Sequence, residues 1–422
     1  MMTIKIAVRN IFRHKARTFI TLSAIVFGCV ALIFAAGFLE DVFYIMRESY
    51  IKAHTGHIQL YRRGFSEKGR LQPYQYLIDK PGAIIARIKS IEGVDFVTSR
   101  LEFSGLLSNG ENTISFIGQG IEPQYEKTLL KSETTDFRQL AKNNSEGSPI
   151  MKAGSPLAPT DKYAIVLGQG LAASIDAKSG DSLTLLTNTV HGSTNALDVT
   201  VKGIFETSAK VFDDHFLRLP LTTAQKLLST ESVQSLVIRL KKTEDTARVK
   251  EQLVSIIQQD KLDLELKTWD EISDFYTKTV ILFDKFFFVM KLTIIIVVIS
   301  GIFNTMNMAV MERISEIGTI MALGVKKRGV ISLFLWEGAL LGTIGGIIGV
   351  IAGVVFTSII SYIGIVMPPP PGATVYWLNQ PMIVPLSLVY TFLMALIISI
   401  ISSLYPAYKA SRLQITEALR YR

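Results

Sequence analysis

The sequence predicts an α-helical membrane protein with four transmembrane helices and a large α+β extracytoplasmic domain between the first and second of them. Three observations predict this. Apolar residues make up 49% of the 422 positions, and they fall in blocks instead of evenly. A stretch of soluble character from Glu40 to Lys285 separates the first block from the other three. Basic residues gather beside the blocks, in 1–17, 312–328 and 406–422, which assigns those three regions to one cytoplasmic side.

Residues 1–17 carry five Lys or Arg and no acid. Ile4, Ala7, Val8, Ile11 and Phe12 share one helical face, so this segment reads as an amphipathic helix lying in the headgroup region. The charge-free run 18–39 is long enough to span a bilayer and longer than a typical signal-peptide core, so it reads as an uncleaved first transmembrane helix. Its Cys29 is the sole cysteine, so no intrachain disulfide can form and the outer domain must be held by its apolar core.

Residues 40–285 form the expected periplasmic domain with stalk extensions. Glu40–Lys52 continues the first helix beyond the membrane. After it the period changes. Strand-like runs occur at His57–Tyr61, Thr113–Ile117, Leu183–Leu186, Val199–Val201 and Leu236–Leu240. Helical stretches lie between them at Ala83–Ile91, Gln169–Ile175, Thr222–Leu228 and Glu244–Gln258. The order lacks strict βαβ alternation, which indicates α+β. The polar stretch Lys131–Thr160 reads as a loop.

The second span is 286–311, with Lys285 and Lys291 placed to snorkel at its outer end. A charged bridge follows. The run Gly329–Met367 is too long for one span and too short for two with a turn. The expectation is therefore a surface segment over 312–337 and a third span over 338–367. Gly342, Gly345, Gly346, Gly349 and Gly353 are read as one small-residue face for helix packing. The loop 368–381 opens with four prolines and places Tyr376 and Trp377 at the interface. The fourth span is 382–404, and 405–422 is a basic cytoplasmic tail.

Several function classes fall away. No GxxxxGK[ST] occurs, so no P-loop is present to hold ATP. HExxH, GxSxG and CxxC are also absent, which leaves no catalytic motif. His54 and His57 are spaced as a metal pair but have no third ligand, and no metal site is expected. No basic groove pattern suggests nucleic acid. Lys291 and Glu337 alone carry charge within the second and third apolar runs, and both are expected at interfaces, so a polar transport path along the spans is not supported.

The stretch ERISEIGTIMALGVKKRGVISLFLWEGALLGTIGGIIGVIAG, residues 312–353, resembles the ER..EIG and E...L...GG..G pattern of FtsX-type ABC transporter permeases. Met321 stands where many members have arginine. The opening AVRNIFRHKARTFIT and the closing SLYPAYKASRLQITEALRY resemble the ends of the same family. HTGHIQLYRRGF, IVLGQGLAASIDAKSGDSLTLL and MPPPPGAT resemble its LolC/LolE lipoprotein-releasing branch and its MacB relatives.

The resemblance implies a type VII permease subunit of the bacterial inner membrane, with both termini cytoplasmic. It implies two copies of an ABC ATPase subunit as partners, with ATP and Mg held there and no cofactor on this chain. A second permease subunit, identical or different, is implied as well. So is a lipoprotein or amphiphilic cargo, with a periplasmic chaperone or adaptor to receive it. Glu312, Arg313, Glu316, Ile317, Gly318, Leu323 and Gly324 are implied to couple to the ATPase. Gly342, Gly345, Gly346 and Gly349 are implied to pack helices. Glu337 is expected to anchor the surface segment at the interface, by an ion pair with a basic residue near Arg17 or as a plain interfacial carboxylate. MacB-like efflux and FtsX-like signalling to cell-wall hydrolases are the alternative activities.

Overall fold

The computed structural model describes Arg9, Arg13 and residues 15–69, 71–125, 130–131, 150–207, 210–368, 376–412 and 414. Most of the expected amphipathic helix over 1–17 lies outside them. So do most of the Lys131–Thr160 loop and most of the basic tail. The chain forms two units. One comprises Met1–Phe43, Val280–Ile365 and Asn379–Arg422; the other comprises Tyr44–Thr279 and Val366–Leu378.

Helix α1 (Lys15–Tyr50) is continuous for 36 residues, about 54 Å at 1.5 Å per residue. It passes through a single π-turn at Ile51–Thr55 to Gly56. The outer domain is then built from β1 (Ile58–Arg62), α2 (Gly82–Lys89), β2 (Val94–Ser108), β3 (Thr113–Ile121), β4 (Leu130–Lys131) and β5 (Ile150–Gly154). It continues with β6 (Ala164–Gly168), α3 (Gln169–Ser174), β7 (Ser182–Asn188), β8 (Thr194–Glu206), α4 (Lys210–His215) and β9 (Phe216–Pro220). It ends with α5 (Leu221–Leu228), β10 (Ser235–Leu240), α6 (Thr246–Gln259), β11 (Leu264–Thr268) and α7 (Trp269–Ile272).

The strands run in the order β11-β1-β10-β2-β3-β9-β6-β8-β5-β4, with β7 bridging β2 and β8. Most pairs are antiparallel, whereas β3 with β9, β6 with β8, and β4 with β5 are parallel. This mixture is what the missing βαβ alternation implied. β2 is the spine. Its first half pairs with β10 through Arg100–Ser235, and its second half pairs with β3 from Leu101–Gly120 to Ser108–Thr113. Each half carries its own core. Ile58, Leu60, Val97, Leu236, Ile238, Val249 and Leu253 form one, under α2 and α6. Leu101, Phe103, Phe116, Leu167, Leu185, Val201, Leu217 and Leu227 form the other. Ile150–Gly154 is a strand where the sequence reads as loop: it gains a ladder with β8 that its own composition does not announce.

Helix α8 (Asp274–Glu312) brings the chain back and is followed by α9 (Ile314–Ala322), α10 (Lys327–Ile363), a ribbon of β12 (Ile365–Met367) with β13 (Trp377–Asn379), and α11 (Pro385–Ser411). Among the described residues four helices are long and apolar enough to cross a membrane: Thr18–Tyr50, Tyr276–Glu312, Lys327–Ile363 and Pro385–Ser411. α10 runs unbroken through residues 329–337, so no turn of the chain marks the edge placed there between surface segment and span. Helix α11 starts at Pro385, whose missing N–H suits a first helical turn, and residues 382–384 lead into it unwound.

Candidate functional site

The bridge between α8 and α10 folds into an elbow. Arg313 leaves the helical region at φ −112°, which ends α8 and redirects the chain into α9. Ile314, Ile317 and Gly318 fall on one face of α9 and are buried. Ile317 joins Val310, Val330, Phe334, Ala407 and Ala410, with Met321 packed against the same cluster. Met321, the departure from the family arginine, therefore fills an apolar gap that its flexible side chain suits. The return to α10 needs Gly324, at φ +93°, a left-handed conformation that costs glycine little.

The elbow is held shut by a buried ion pair. Arg313 Nη1 lies 3.3 Å from Glu337 Oε2, and the two residues are only 4% and 5% exposed. The pair joins the end of the bridge at Arg313 to α10 at Glu337. The partner of Glu337 among the described residues is Arg313, because α9 folds back against the first turns of α10; the expected partner near Arg17 falls on side chains outside the described residues. In a water-poor setting such a pair is attractive only because each charge has the other.

The residues expected to couple are split by this geometry. Glu312, Glu316, Leu323 and Gly324 face outward. Arg313, Ile317 and Gly318 face inward and seat the elbow, so they offer no surface to a docking protein here. Leu323 is 81% exposed at the tip, an unusual position for a leucine beside Lys326, Lys327 and Arg328. Glu316 Oε1 accepts a 2.9 Å hydrogen bond from Arg13 Nη1, so Arg13 borders the outward face.

The glycines of α10 form two seams instead of the single face expected. A Cβ built on Gly345, Gly349 or Gly353 would stand 2.9, 2.6 or 2.7 Å from side-chain carbons of Ile25, Cys29 or Ile33 on α1. One built on Gly338 or Gly342 would stand 2.4 Å from Ser403 Oγ or 2.8 Å from Ser399 Cβ on α11, and one on Gly346 would stand 3.0 Å from Phe392. Each seam repeats every four residues, so α10 is wedged between α1 and α11 at backbone distance. α8 reaches α1 separately: Val298, Ile302 and Met306 pack with Ile25 and Cys29.

Among the described residues no three His, Cys, Asp or Glu side chains gather to hold a metal ion. His54 packs edge-to-face on Phe212 at 3.8 Å between ring centres, whereas His57 accepts a hydrogen bond from Leu240 N–H. The two histidines therefore do not share a ligand site. Burial, then the charges of Arg218 and Arg100, push His54 well below the usual histidine range.

Comparison with known proteins bears on this architecture. Residues 18–256 match the MacB-like periplasmic core domain and residues 288–415 the FtsX-like permease C-terminal domain. Four apolar helices, a domain inserted after the first and an elbow between the second and third define an ABC transporter permease. The chain belongs to the LolC/MacB/FtsX type of that class.

An ABC transporter permease of Methanocaldococcus jannaschii is 24% identical over 99% of this chain and 97% of its own length. The lipoprotein-releasing system transmembrane protein LolC of Xylella fastidiosa strain Temecula1 is 28% identical over 72% of this chain and 74% of its own. Among solved structures, the periplasmic region of MacB from Actinobacillus actinomycetemcomitans aligns with a TM-score of 0.36 and 16% identity. That alignment covers 53% of this chain and 94% of that one.

Proposed function

We propose that this chain is the non-catalytic permease subunit that passes the motion of a cytoplasmic ATPase to its extracytoplasmic domain. On this reading the domain releases lipoproteins or other amphiphilic cargo from the membrane. The observation that carries the reading is the elbow. Glu312, Glu316 and Leu323 form an exposed outward ridge, while Arg313–Glu337 and the Ile317–Phe334 cluster make α9 and the start of α10 one body. A push on the ridge is therefore delivered to α10, and the glycine seams pass it on to α1 and α11. ATP and Mg are held by the ATPase, two copies of which serve two permease subunits. The termini are cytoplasmic and the membrane is the inner membrane.

The LolC and LolE relatives favour lipid-anchored cargo. The match of residues 18–256 to the MacB-like core favours a second reading, export with a periplasmic adaptor. Photo-crosslinkers placed across the outer domain separate the two. Trapped acylated proteins support release; a trapped adaptor with no acylated protein supports export. For the elbow, Glu316→Lys is expected to leave the protein inserted while ATPase copurification falls. Unchanged copurification and activity in that variant would remove Glu316 from the docking ridge.

A further inference from the structure

The outer end of α1 enters the domain through a joint whose bonds converge on one residue. The π-turn leaves helix-end carbonyls that need donors. Gly56 N–H bonds Ile51 O at 2.9 Å, Thr55 Oγ1 bonds Tyr50 O at 3.2 Å, Gln59 Nε2 bonds Thr55 O at 2.7 Å, and the Arg100 guanidinium of β2 bonds His54 O. Gly56 sits at φ +63°, and a Cβ there would stand 2.4 Å from Val237 Cγ1. The chain is thus pressed against β10 as it turns.

His57 comes next, and it is tied to three elements at once. Its N–H donates to Ile238 O at 3.0 Å, and its carbonyl accepts from Trp269 N–H of α7 at 3.1 Å. Its Nδ1 accepts from Leu240 N–H at 3.1 Å, which leaves the proton on Nε2. Nε2 lies 3.1 Å from Thr243 Oγ1, and that hydroxyl donates to Glu48 Oε1 on α1 at 2.8 Å. Every group in the chain Leu240 N–H to His57 to Thr243 to Glu48 then has one consistent role. Arg47 and Lys52 flank Glu48 at 3.8 and 3.7 Å as its counter-charges.

The way into α8 is built differently. α7 is closed by a capping box between Thr268 and Glu271, and Ser273 breaks the helix at ψ 71° before α8 begins. One stalk is fastened through a directed relay; the other enters through a break next to His57.

We propose that His57 is the positioning residue through which displacement of α1 is passed into the sheet, with Thr243 and Glu48 as its link to the helix. This rests on the reading of the chain as a motion-transmitting permease, but not on the identity of the cargo. The test uses the full chain in nanodiscs with its copurified ATPase, and hydrogen exchange measured with and without ATP and vanadate. Wild type is expected to show a nucleotide-dependent change over residues 58–62 and 235–240. Thr243→Val keeps the side chain's shape and removes the hydroxyl that reaches a charged acceptor, so the change is expected to fall about tenfold. Thr243→Ser is expected to restore it at unchanged thermal midpoint.

If Thr243→Val does not fold, Glu48→Gln serves instead, with a loss of about threefold from exchanging a charged acceptor for a neutral one. A full nucleotide-dependent change in Thr243→Val or Glu48→Gln, no rescue by Thr243→Ser, or no such change in wild type each overturns the assignment. Because the readout is exchange, an absence of cross-linked lipoprotein sinks the cargo reading and leaves this one standing.

Discussion

The elbow and the outer joint solve the same problem by different chemistry. Both fasten a long helix to the next element of the chain. The elbow uses opposite charges, Arg313 and Glu337, buried together. The joint uses a neutral imidazole and a hydroxyl that lead to a carboxylate on the helix. A buried charge pair is all or nothing, since removing one partner strands the other. A hydrogen-bond relay can be weakened link by link, each worth about 1 kcal/mol or somewhat more when it ends on a charge. The elbow therefore holds or fails as a unit, whereas the joint can be weakened by degrees.

The largest expected effect breaks the elbow. Glu337→Ala is expected to destabilise the protein by about 3–5 kcal/mol, because it breaks the buried Arg313–Glu337 pair from one side. Arg313→Met combined with Glu337→Leu is expected to regain most of that loss. Thermal unfolding in detergent measures both, and a double variant no better than Glu337→Ala alone would contradict the argument.

Next come the seams that hold α10 against α1 and α11. Gly349→Val forces α10 away from Cys29 and is expected to cost about 1–3 kcal/mol. Gly364→Ala tests a different thing, since Gly364 caps α10 at φ +70° and the strain there is of the backbone. Deep mutational scanning scored by surface-accessible insertion would separate the two kinds of loss.

A smaller effect sharpens the joint through its pH dependence. Burial, then the charges of Arg239, Arg47 and Lys52, push His57 down to about 4. A depressed histidine binds fewer protons folded than unfolded, so its contribution is complete above about pH 6.5 and is lost as pH falls toward about 4. Asp213 runs the other way. Burial pushes its carboxyl up to about 7, against hydrogen bonds from Thr207 that lower it. Its contribution is complete below about pH 3.9 and is lost as pH rises through about 7. The two slopes oppose each other between them. His57→Gln is therefore expected to make stability fall more steeply with rising pH, and Asp213→Asn to make it rise. Equal slopes in both variants would break the assignment.

The smallest effect on stability is at the surface. Glu316→Gln loses the exposed bond to Arg13 and is expected to shift unfolding by less than about 1 kcal/mol. Its effect on ATPase binding is read separately, by titration with the purified partner.

Much of the frame is legible in the residues. Uninterrupted apolar runs must be helices in a membrane, since every backbone group has to be satisfied within the segment. The short apolar runs Leu183–Leu186 and Leu236–Leu240, rich in Leu, Val and Ile, read as strands, the second of them buried on both faces. The second glycine seam was legible too: Gly338, Gly342 and Gly346 repeat every four residues just as Gly345, Gly349 and Gly353 do. β2 was harder to see, because Arg100, Glu102 and Gly105 interrupt its pattern and only pairing with β10, β3 and β7 fixes its 15 residues.

The sequence by itself determined that there are four apolar helices, that a mixed domain comes after the first, and that a charged bridge precedes the glycine-rich helix. These features arise from local composition and period, which act over a few turns of chain. The choice of partners was decided only in three dimensions. Arg313 lies 24 residues from Glu337, and His57 meets Leu240 and Thr243 from one distant stretch and Trp269 from another, reaching Glu48 only through Thr243. A charge or an imidazole carries no mark of its partner in its own neighbourhood. The fold supplies the partner by bringing two distant backbones close enough for their side chains to satisfy each other away from water.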